Sequence, residues 1–455
     1  MRPMLNQYTD RNPALAADYA AHVAEVGKRF SKALERAGAA HAVIFSGAPH
    51  YAFLDDRAYP FAANPHFLSW VPLTALPSSY IVHTPGEKPV LVYYQPKDYW
   101  HVVPGEPEGF WTDHFDIRVI HDPDDAGRHL PEDREKCVLL GEITDADQAF
   151  GIERVNPQTT LNLLHLERGR KTAYELECMR LASRRAVAGH RAARDAFERG
   201  CSEFDIHQHY CAAVLQTDNE LPYGNIIALN EHGAVLHYTD LDRERPAEAR
   251  SFLIDAGADV LGYAADITRT YSAAQGEFRD LIERMETLQL DVVGRVRAGV
   301  DFRDLHIDTH RLLAGVLTDA GLASGDAETL LATGVTSAFF PHGLGHLIGL
   351  QVHDVAGHLG DVSGTRIDPP SGHPFLRLTR VLEEDMVVTI EPGLYIIDLL
   401  LDNLRGTPAE KQVHWDTVDR LRPYGGIRIE DDVRVLANGA ENLTRDAFAL
   451  SSGSA

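Results

Sequence analysis

Two apolar, β-compatible runs on either side of the bend Val260-Leu261-Gly262 confine the stretch SFLIDAGADVLGYAADITRTYS, residues 251–272, to a hairpin with an aspartate on each arm. Asp255 and Asp266 lie 11 positions apart, so a fold centred between Val260 and Leu261 sets them directly opposite each other. Opposed residues share one face of a two-stranded ribbon, with Cβ atoms roughly 5 Å apart. Two carboxylates that close repel unless something cationic or a proton lies between them. A pair of divalent metals, an arginine or a shared proton would each answer that repulsion. Two solvated hairpin acids would not need it answered.

A chain of 455 residues, 44% of them hydrophobic, can bury large cores and is long enough for two or three domains. It reads as a soluble globular protein. With 43 basic and 67 acidic side chains the formal charge is −24, which opposes nucleic acid and anionic membrane surfaces, and no Lys/Arg-rich run offsets it. No nucleic-acid or membrane partner is therefore expected. The N-terminus, MRPMLNQYTDRNPALAADYA, has no apolar signal core, and no window approaches the ~18 uncharged apolar residues of a membrane span. Cys137, Cys178, Cys201 and Cys211 lack the spacing of a zinc knuckle or a disulfide framework, which points to a reducing, cytoplasmic setting.

Residues from about Ala14 to Ala37 carry the recurring apolar positions of an amphipathic helix, and Gly38 is its stop. The β-like runs AHAVIFSG, SSYIVHTP, KPVLVYYQP, FDIRVIHD and KCVLLGEI follow, giving an α/β domain over residues 1–167. Between them lies SGAPHYAFLDDRAYPFAANPHFLSW, an irregular segment of the kind that is more often functional or interfacial than idle. From Lys171 the texture turns helical up to Gly200, a second helix follows in EFDIHQHYCAAVLQ, and two more fall between Glu277 and Ala320. Residues 168–455 form the second domain.

Its chemistry-bearing residues are spread over several motifs. FFPHGLGHLIGLQVHD places His342, His346 and His353 among glycines that let backbone pass close to an ion or ligand, although a histidine in such a segment can equally be a packed or hydrogen-bonding group. MVVTIEPGLY is an apolar strand that delivers Glu391 and is halted by Pro-Gly; an acid there has to be paired or metal-bound. In YGGIRIEDDVRV, period-2 alternation sends Arg428 and Glu430 to one face, where Glu430 is either an inward ligand or a strand acid paired with Arg428. Together Asp255, Asp266, His346, Glu391 and Glu430 supply four carboxylates and one imidazole. Such an oxygen-rich set without thiolate suits Mn, Co, Fe or Zn, and two divalent cations would balance its charge. Two-metal hydrolysis of a carbonyl or phosphoryl centre is the reaction class this set fits.

In this order, LIDAGADVLGYAADITRTY, VLHY, PHGLGHLIGLQVHD, TIEPGLY and GGIRIEDDV resemble the pita-bread metallopeptidases, and most closely the bacterial Xaa-Pro dipeptidases, or prolidases. The resemblance covers nearly the whole chain. It implies an N-terminal α/β domain followed by an α+β pita-bread (creatinase/aminopeptidase-like) catalytic domain. It also implies two divalent metal ions, manganese first and cobalt, zinc or iron as alternatives. Asp255 would chelate one ion, Asp266 and Glu430 would bridge the two, and His346 and Glu391 would complete the shells around a bridging hydroxide. Glu391 would also relay its proton. His237 of VLHY, His342 and His353 match histidines that line the site in catalytic or substrate-binding roles. Tyr223 in LPYGN and Arg377 in FLRLTR match a pocket tyrosine and an arginine that grips the dipeptide carboxylate, and Arg428 falls in the pocket wall. The family further implies a homodimer in which an N-terminal loop, with Asp55 and Asp56 as candidates, approaches the partner's site.

The expected activity is hydrolysis of Xaa-Pro dipeptides, with at most a side activity on organophosphorus esters. Aminopeptidase P activity on longer peptides is the alternative within the class. A metal-free binding protein of the same fold is the alternative outside it.

Overall fold

A computed structural model describes residues 13–452, with side chains through residue 450. The N-terminal stretch read as lacking a signal core lies outside the described residues as far as Asn12. The chain divides into two compact units. One ends at Cys178 and takes in Val260–Tyr263 and Leu359–Thr365; the other comprises Met179–Asp259, Ala264–His358 and the chain from Arg366 onward.

In the first unit, helix α1 (Pro13–Ala37) buries Leu15, Tyr19, Val23, Val26, Phe30 and Leu34, the three- and four-residue spacing of one helix face. It ends where Gly38 takes φ 60°. The five β-like runs become β1 (His41–Phe45), β2 (Tyr80–His83), β3 (Val90–Tyr94), β4 (Asp116–Ile120) and β5 (Cys137–Leu140). They form one mixed sheet in the order β4-β3-β2-β1-β5, with β1-β5 and β3-β4 parallel. Val43, Phe45, Tyr80, Val82, Val92 and Leu139 make its core, and helix α2 (Gln158–Arg168) packs on α1. The irregular segment after β1 closes a small hairpin in which Ala52 N donates to Arg57 O; Asp55 and Asp56 sit at its tip, beside the exposed Phe53 and Leu54.

On β2, buried His83 meets Ser31 Oγ at 3.0 Å, and burial lowers its pKa to about 4. A folded-state value below that of the unfolded chain means that stability is intact above about 6.5 and falls as pH drops toward 4, by up to roughly 1.4 kcal/mol per pH unit for this group. The urea midpoint should therefore fall more between pH 7 and pH 5 in the wild type than in His83→Gln. Equal falls would show that His83 titrates normally.

Helix α3 (Ala173–Glu198) carries the chain across the divide. Helix α4 (Glu203–Val214) follows, its N-terminus capped by Ser202, which accepts from Asp205 N. Strands β6 (Ile226–Leu229), β7 (Ser251–Asp255) and β10 (Thr268–Ser272) form an antiparallel sheet in the order β10-β7-β6, with β8 (Asp259–Val260) and β9 (Tyr263–Ala264) at the hairpin tip. Helices α5 (Glu277–Arg295) and α6 (Phe302–Asp319) supply much of the main core. Strand β11 (Val387–Ile390) pairs with β14 (Asp431–Leu436), which pairs with β15 (Gly439–Asn442); β12 (Gly393–Tyr395) pairs with β13 (Gly426–Arg428). Single bridges at Thr268↔Glu430 and Leu347↔Val388 tie these pieces together. Among the described residues no helix is long and apolar enough to cross a membrane.

The hairpin forms, but its centre lies between Leu261 and Gly262, not between Val260 and Leu261. Both turn residues take positive φ, 57° and 92°, as a two-residue hairpin loop of the primed type requires. Asp255 consequently pairs with Thr268. Asp266 falls opposite Gly257, so the two aspartates are diagonal neighbours and not directly opposed. A two-residue offset keeps them on the same face, within reach of a shared partner.

Candidate metal centre

That shared partner is Tyr223. Its hydroxyl lies 2.9 Å from Asp255 Oδ1 and 2.6 Å from Asp266 Oδ1, yet it has one proton to donate. Space for the ring exists because residue 257 is glycine: a Cβ there would lie 2.8 Å from Tyr223 Cε1 and 2.1 Å from Ala265 O. The other oxygen of Asp255 accepts from Arg428 Nη2 at 2.8 Å. Tyr223, expected on the substrate, thus has its hydroxyl shared by the two aspartates, while Arg428, expected there too, gives Nη2 to Asp255, Nε to Thr268 Oγ1 and Nη1 to Tyr395 Oη.

Glu430 reaches the same place from the short link between β13 and β14. Its Oε2 accepts from Thr268 Oγ1 at 2.6 Å, and Thr268 Oγ1 accepts in turn from Arg428 Nε at 3.3 Å. Arg428 therefore pairs with Asp255, and not with Glu430. The two acids that follow Glu430 are committed elsewhere. Asp431 is held by Arg269 and Arg445, and Asp432 Oδ2 accepts from Asp266 N at 3.0 Å.

His346 is positioned by a backbone crossing in which its N donates to Thr389 Oγ1 and its O accepts from Thr389 N. Its Nδ1 contacts Leu347 O at 3.0 Å; a carbonyl can only accept, so Nδ1 carries a proton and Nε2 is the ring atom turned toward the cluster. That Nε2 faces Asp266 Oδ2 and Glu391 Oε1, each 3.6 Å away, and offers a lone pair once a cation takes the place of its proton. One donor atom from each of Asp266, His346 and Glu430 lies within 4.8 Å of the others, and all three residues are buried. Glu391 leaves the end of β11 just before Pro392-Gly393 and also accepts from Thr389 Oγ1.

The electrostatics are those of crowded buried anions. Burial, together with Asp266 and Glu391, lifts Glu430 well above the usual carboxylate range. Burial lifts Asp255 despite Arg428, and lifts Glu391 to about 7 despite His346. Burial would lift Asp266 as well, but His346, Tyr223 and His353 together hold its carboxyl low; His346 itself, which burial alone would lower, is raised to about 9 by Asp266 and Glu391. Four carboxylates, Asp266 and Glu430 buried and Asp255 and Glu391 part-buried, thus share one guanidinium and one imidazole. Their oxygens and the imidazole nitrogen aimed at them are a donor set that fits divalent cations.

His342 sits beside this group with its Nδ1 3.5 Å from Glu391 Oε2. It donates from Nδ1 to Gly343 O, and its Nε2 accepts from Tyr395 Oη at 2.8 Å, which in turn accepts from Arg428 Nη1. Burial, then Arg428, pushes its pKa down to about 3, so it is neutral. His353 stacks edge-on against His346, with ring centroids 4.5 Å apart. His237 and Arg377 are exposed, and both act electrostatically on His342 and His353. Sequence reasoning missed Tyr395 and Thr268 as site residues, although both stand within the motifs TIEPGLY and DITRT.

Residues 17–166 match the family described as Xaa-Pro dipeptidase, N-terminal domain, and residues 177–437 match metallopeptidase family M24. The chain is 54% identical over 438 residues to the Xaa-Pro dipeptidase of Xanthomonas oryzae pv. oryzae, covering 96% of this chain and 99% of the relative. It is 53% identical over 437 residues to that of Stenotrophomonas maltophilia, covering 96% and 98%. Among solved structures, Escherichia coli aminopeptidase P in its low-pH form superposes with a TM-score of 0.70 at 23% identity, covering 95% of this chain and 98% of that one. Pseudomonas aeruginosa aminopeptidase PepP gives 0.69 at 24%, covering 95% and 98%. The fold is therefore the expected α/β N-terminal domain followed by an α+β pita-bread domain, and the chain belongs to metallopeptidase family M24.

Proposed function

We infer that the protein is an Xaa-Pro dipeptidase whose reaction takes place at the buried carboxylate cluster. Relatives named for that activity share more than half of its residues across nearly their full length. The observation that carries the placement is His346 Nε2, oriented by the Nδ1 contact to Leu347 O and facing Asp266 and Glu391 at 3.6 Å.

Asp255, Asp266, His346, Glu391 and Glu430 would hold two divalent cations, with Asp266 and Glu430 shared between them and Asp255 dividing its lone pairs between Arg428 and a cation. Bound there, the pair supplies Lewis acidity toward the scissile carbonyl and lowers the pKa of the attacking water. The single nitrogen in an oxygen-rich set favours manganese, with cobalt, zinc or iron as alternatives. Glu391, set beside the cations, would take the proton of the attacking water and return it to the prolyl nitrogen as the C–N bond breaks. His342 buttresses Glu391, while His237 and His353 stand where they can hydrogen-bond the substrate. Tyr223 and Arg428 fix the aspartates.

Arg377 has no carboxylate partner among the described residues, and in a chain of charge −24 an uncommitted guanidinium is suited to an anionic substrate end. It would grip the dipeptide carboxylate. Wild-type kcat/KM for an Xaa-Pro dipeptide should exceed that for the matching Xaa-Pro-Xaa tripeptide. Arg377→Ala should lower the dipeptide value by roughly 10²-fold, mainly through KM, since a charge-assisted hydrogen bond contributes about 1.5–3 kcal/mol. Faster turnover of the tripeptide by the wild type would assign the chain to aminopeptidase P activity. Purified protein with neither metal nor turnover would assign it to binding.

The division near Glu167, a cytoplasmic location and a homodimer complete the reading, the exposed hairpin of Asp55 and Asp56 being the loop offered to the partner. A side activity on organophosphorus esters fits the same donor set, because phosphoryl hydrolysis also develops negative charge on oxygen.

A further inference from the structure

Helix α6 carries His306 and His310 four residues apart on one face, and His373 lies on the loop leading to Arg377. One ring nitrogen from each lies within 4.8 Å of the others. The three rings are mutually close, with centroids 4.7 Å apart for His306–His310, 4.8 Å for His306–His373 and 4.5 Å for His310–His373. None of these residues belongs to the carboxylate cluster.

Ordinary packing leaves this cluster unsatisfied. His306 Nε2 and His373 Nδ1 share one hydrogen bond of 3.0 Å. His306 Nδ1 and both nitrogens of His310 are buried with no hydrogen-bond partner among the described residues, and His306 and His310 are 1% and 0% exposed. Buried polar atoms in native proteins almost always find partners, so three orphans in one triad of imidazoles need an explanation. The rings hold each other neutral as well: burial, and then the neighbouring histidines, drives His306 far below its usual value and His310 to about 3. Neutral imidazole is the form that ligates a metal.

We propose that His306, His310 and His373 form a third metal site, separate from the carboxylate centre, which takes one zinc-type divalent cation. Three nitrogen donors with neither carboxylate nor thiolate suit zinc, copper or nickel over manganese. A tetrahedral ion with nitrogens at about 2.0–2.1 Å holds them roughly 3.3 Å apart, so the His306–His373 pair has to open by only a few tenths of an ångström. His373 is partly exposed, which gives the ion a route in and a water to complete its shell. Occupied, the site would clip the loop before Arg377 to α6.

Metal counting on the full chain tests this. Protein stripped with a chelator, dialysed against zinc and freed of excess should hold one more zinc per chain in the wild type than in His373→Asn, a variant of a partly exposed loop residue. The double variant Asp266→Asn/Glu430→Gln, with its carboxylate centre disabled, should still bind one zinc, and cobalt in its place should give the visible absorption of a four-coordinate nitrogen site. Zinc should also raise the melting temperature of the double variant, and adding His373→Asn should remove that rise. Equal zinc content in wild type and His373→Asn overturns the proposal, and that comparison decides the matter even if the double variant does not fold.

Discussion

Glu391→Gln is expected to cut kcat by roughly 10³-fold or more while leaving the chain folded, because it removes a proton carrier and one anionic donor from the same position. Glutamine has nearly the volume of glutamate, and its amide oxygen can still accept from Thr389 Oγ1, which lies 3.3 Å from Glu391 Oε1. Metal uptake in equilibrium dialysis should weaken but not vanish, since Asp266, His346 and Glu430 remain. The stripped protein should respond in the opposite direction. There Glu391 is one of four crowded carboxylates, and desolvation lifts it to about 7 against the pull of His346. A neutral amide relieves that crowding, so the stripped variant should melt no lower than the stripped wild type. Unchanged turnover would remove Glu391 from the mechanism, whereas loss of fold in both forms would give it a purely structural role.

The donors were legible in the sequence because each stands in a short motif with its own local reason. Glu391 ends an apolar strand at Pro-Gly, His346 lies among glycines, and Asp255 and Asp266 flank a turn. The hairpin's register was less legible. Its turn places Leu261 at φ 57°, a conformation a leucine adopts only when its surroundings hold it there, so local pattern alone sets the centre of the glycine-containing bend one position early. Pairings that depend on tertiary contact were not legible at all. Alternation placed Arg428 and Glu430 on one face, but only the crossing of β10 over that strand inserts Thr268 between them and turns the arginine toward Asp255. Tyr395 was missed for a related reason: its partners, His342 and Arg428, lie 53 and 33 residues away. The triad of His306, His310 and His373 spans 67 residues, and only the described fold brings its third member to the helical pair.

Gly345→Ala should be the most disruptive single methyl group in the second unit. A Cβ at this position would lie 1.9 Å from Thr389 O, 2.7 Å from Thr389 C and 2.9 Å from Thr389 Oγ1. Backbone φ is not the obstacle here, since Gly345 is absent from the glycines with positive φ. The obstacle is the backbone of β11, which passes against Gly345 so that His346 and Thr389 can exchange their hydrogen bonds. A methyl group must push the two segments apart by more than an ångström, and the displacement is carried directly to His346 Nε2 and to Glu391, two residues beyond Thr389. We expect a destabilisation of about 3 kcal/mol or more, at the upper end of overpacking effects, together with loss of bound metal and at least ~10²-fold lower turnover. Gly315→Ala is the matched control: it lies exposed within α6 with nothing within 4 Å of an added Cβ, and should stabilise the protein by up to about 1 kcal/mol through helix propensity alone. Urea midpoints and metal content of the two variants separate contact from conformation. Near-equal midpoints and metal content in the two variants would mean that β11 does not pass Gly345 this closely, and that His346 is held in place by something other than its crossing with Thr389.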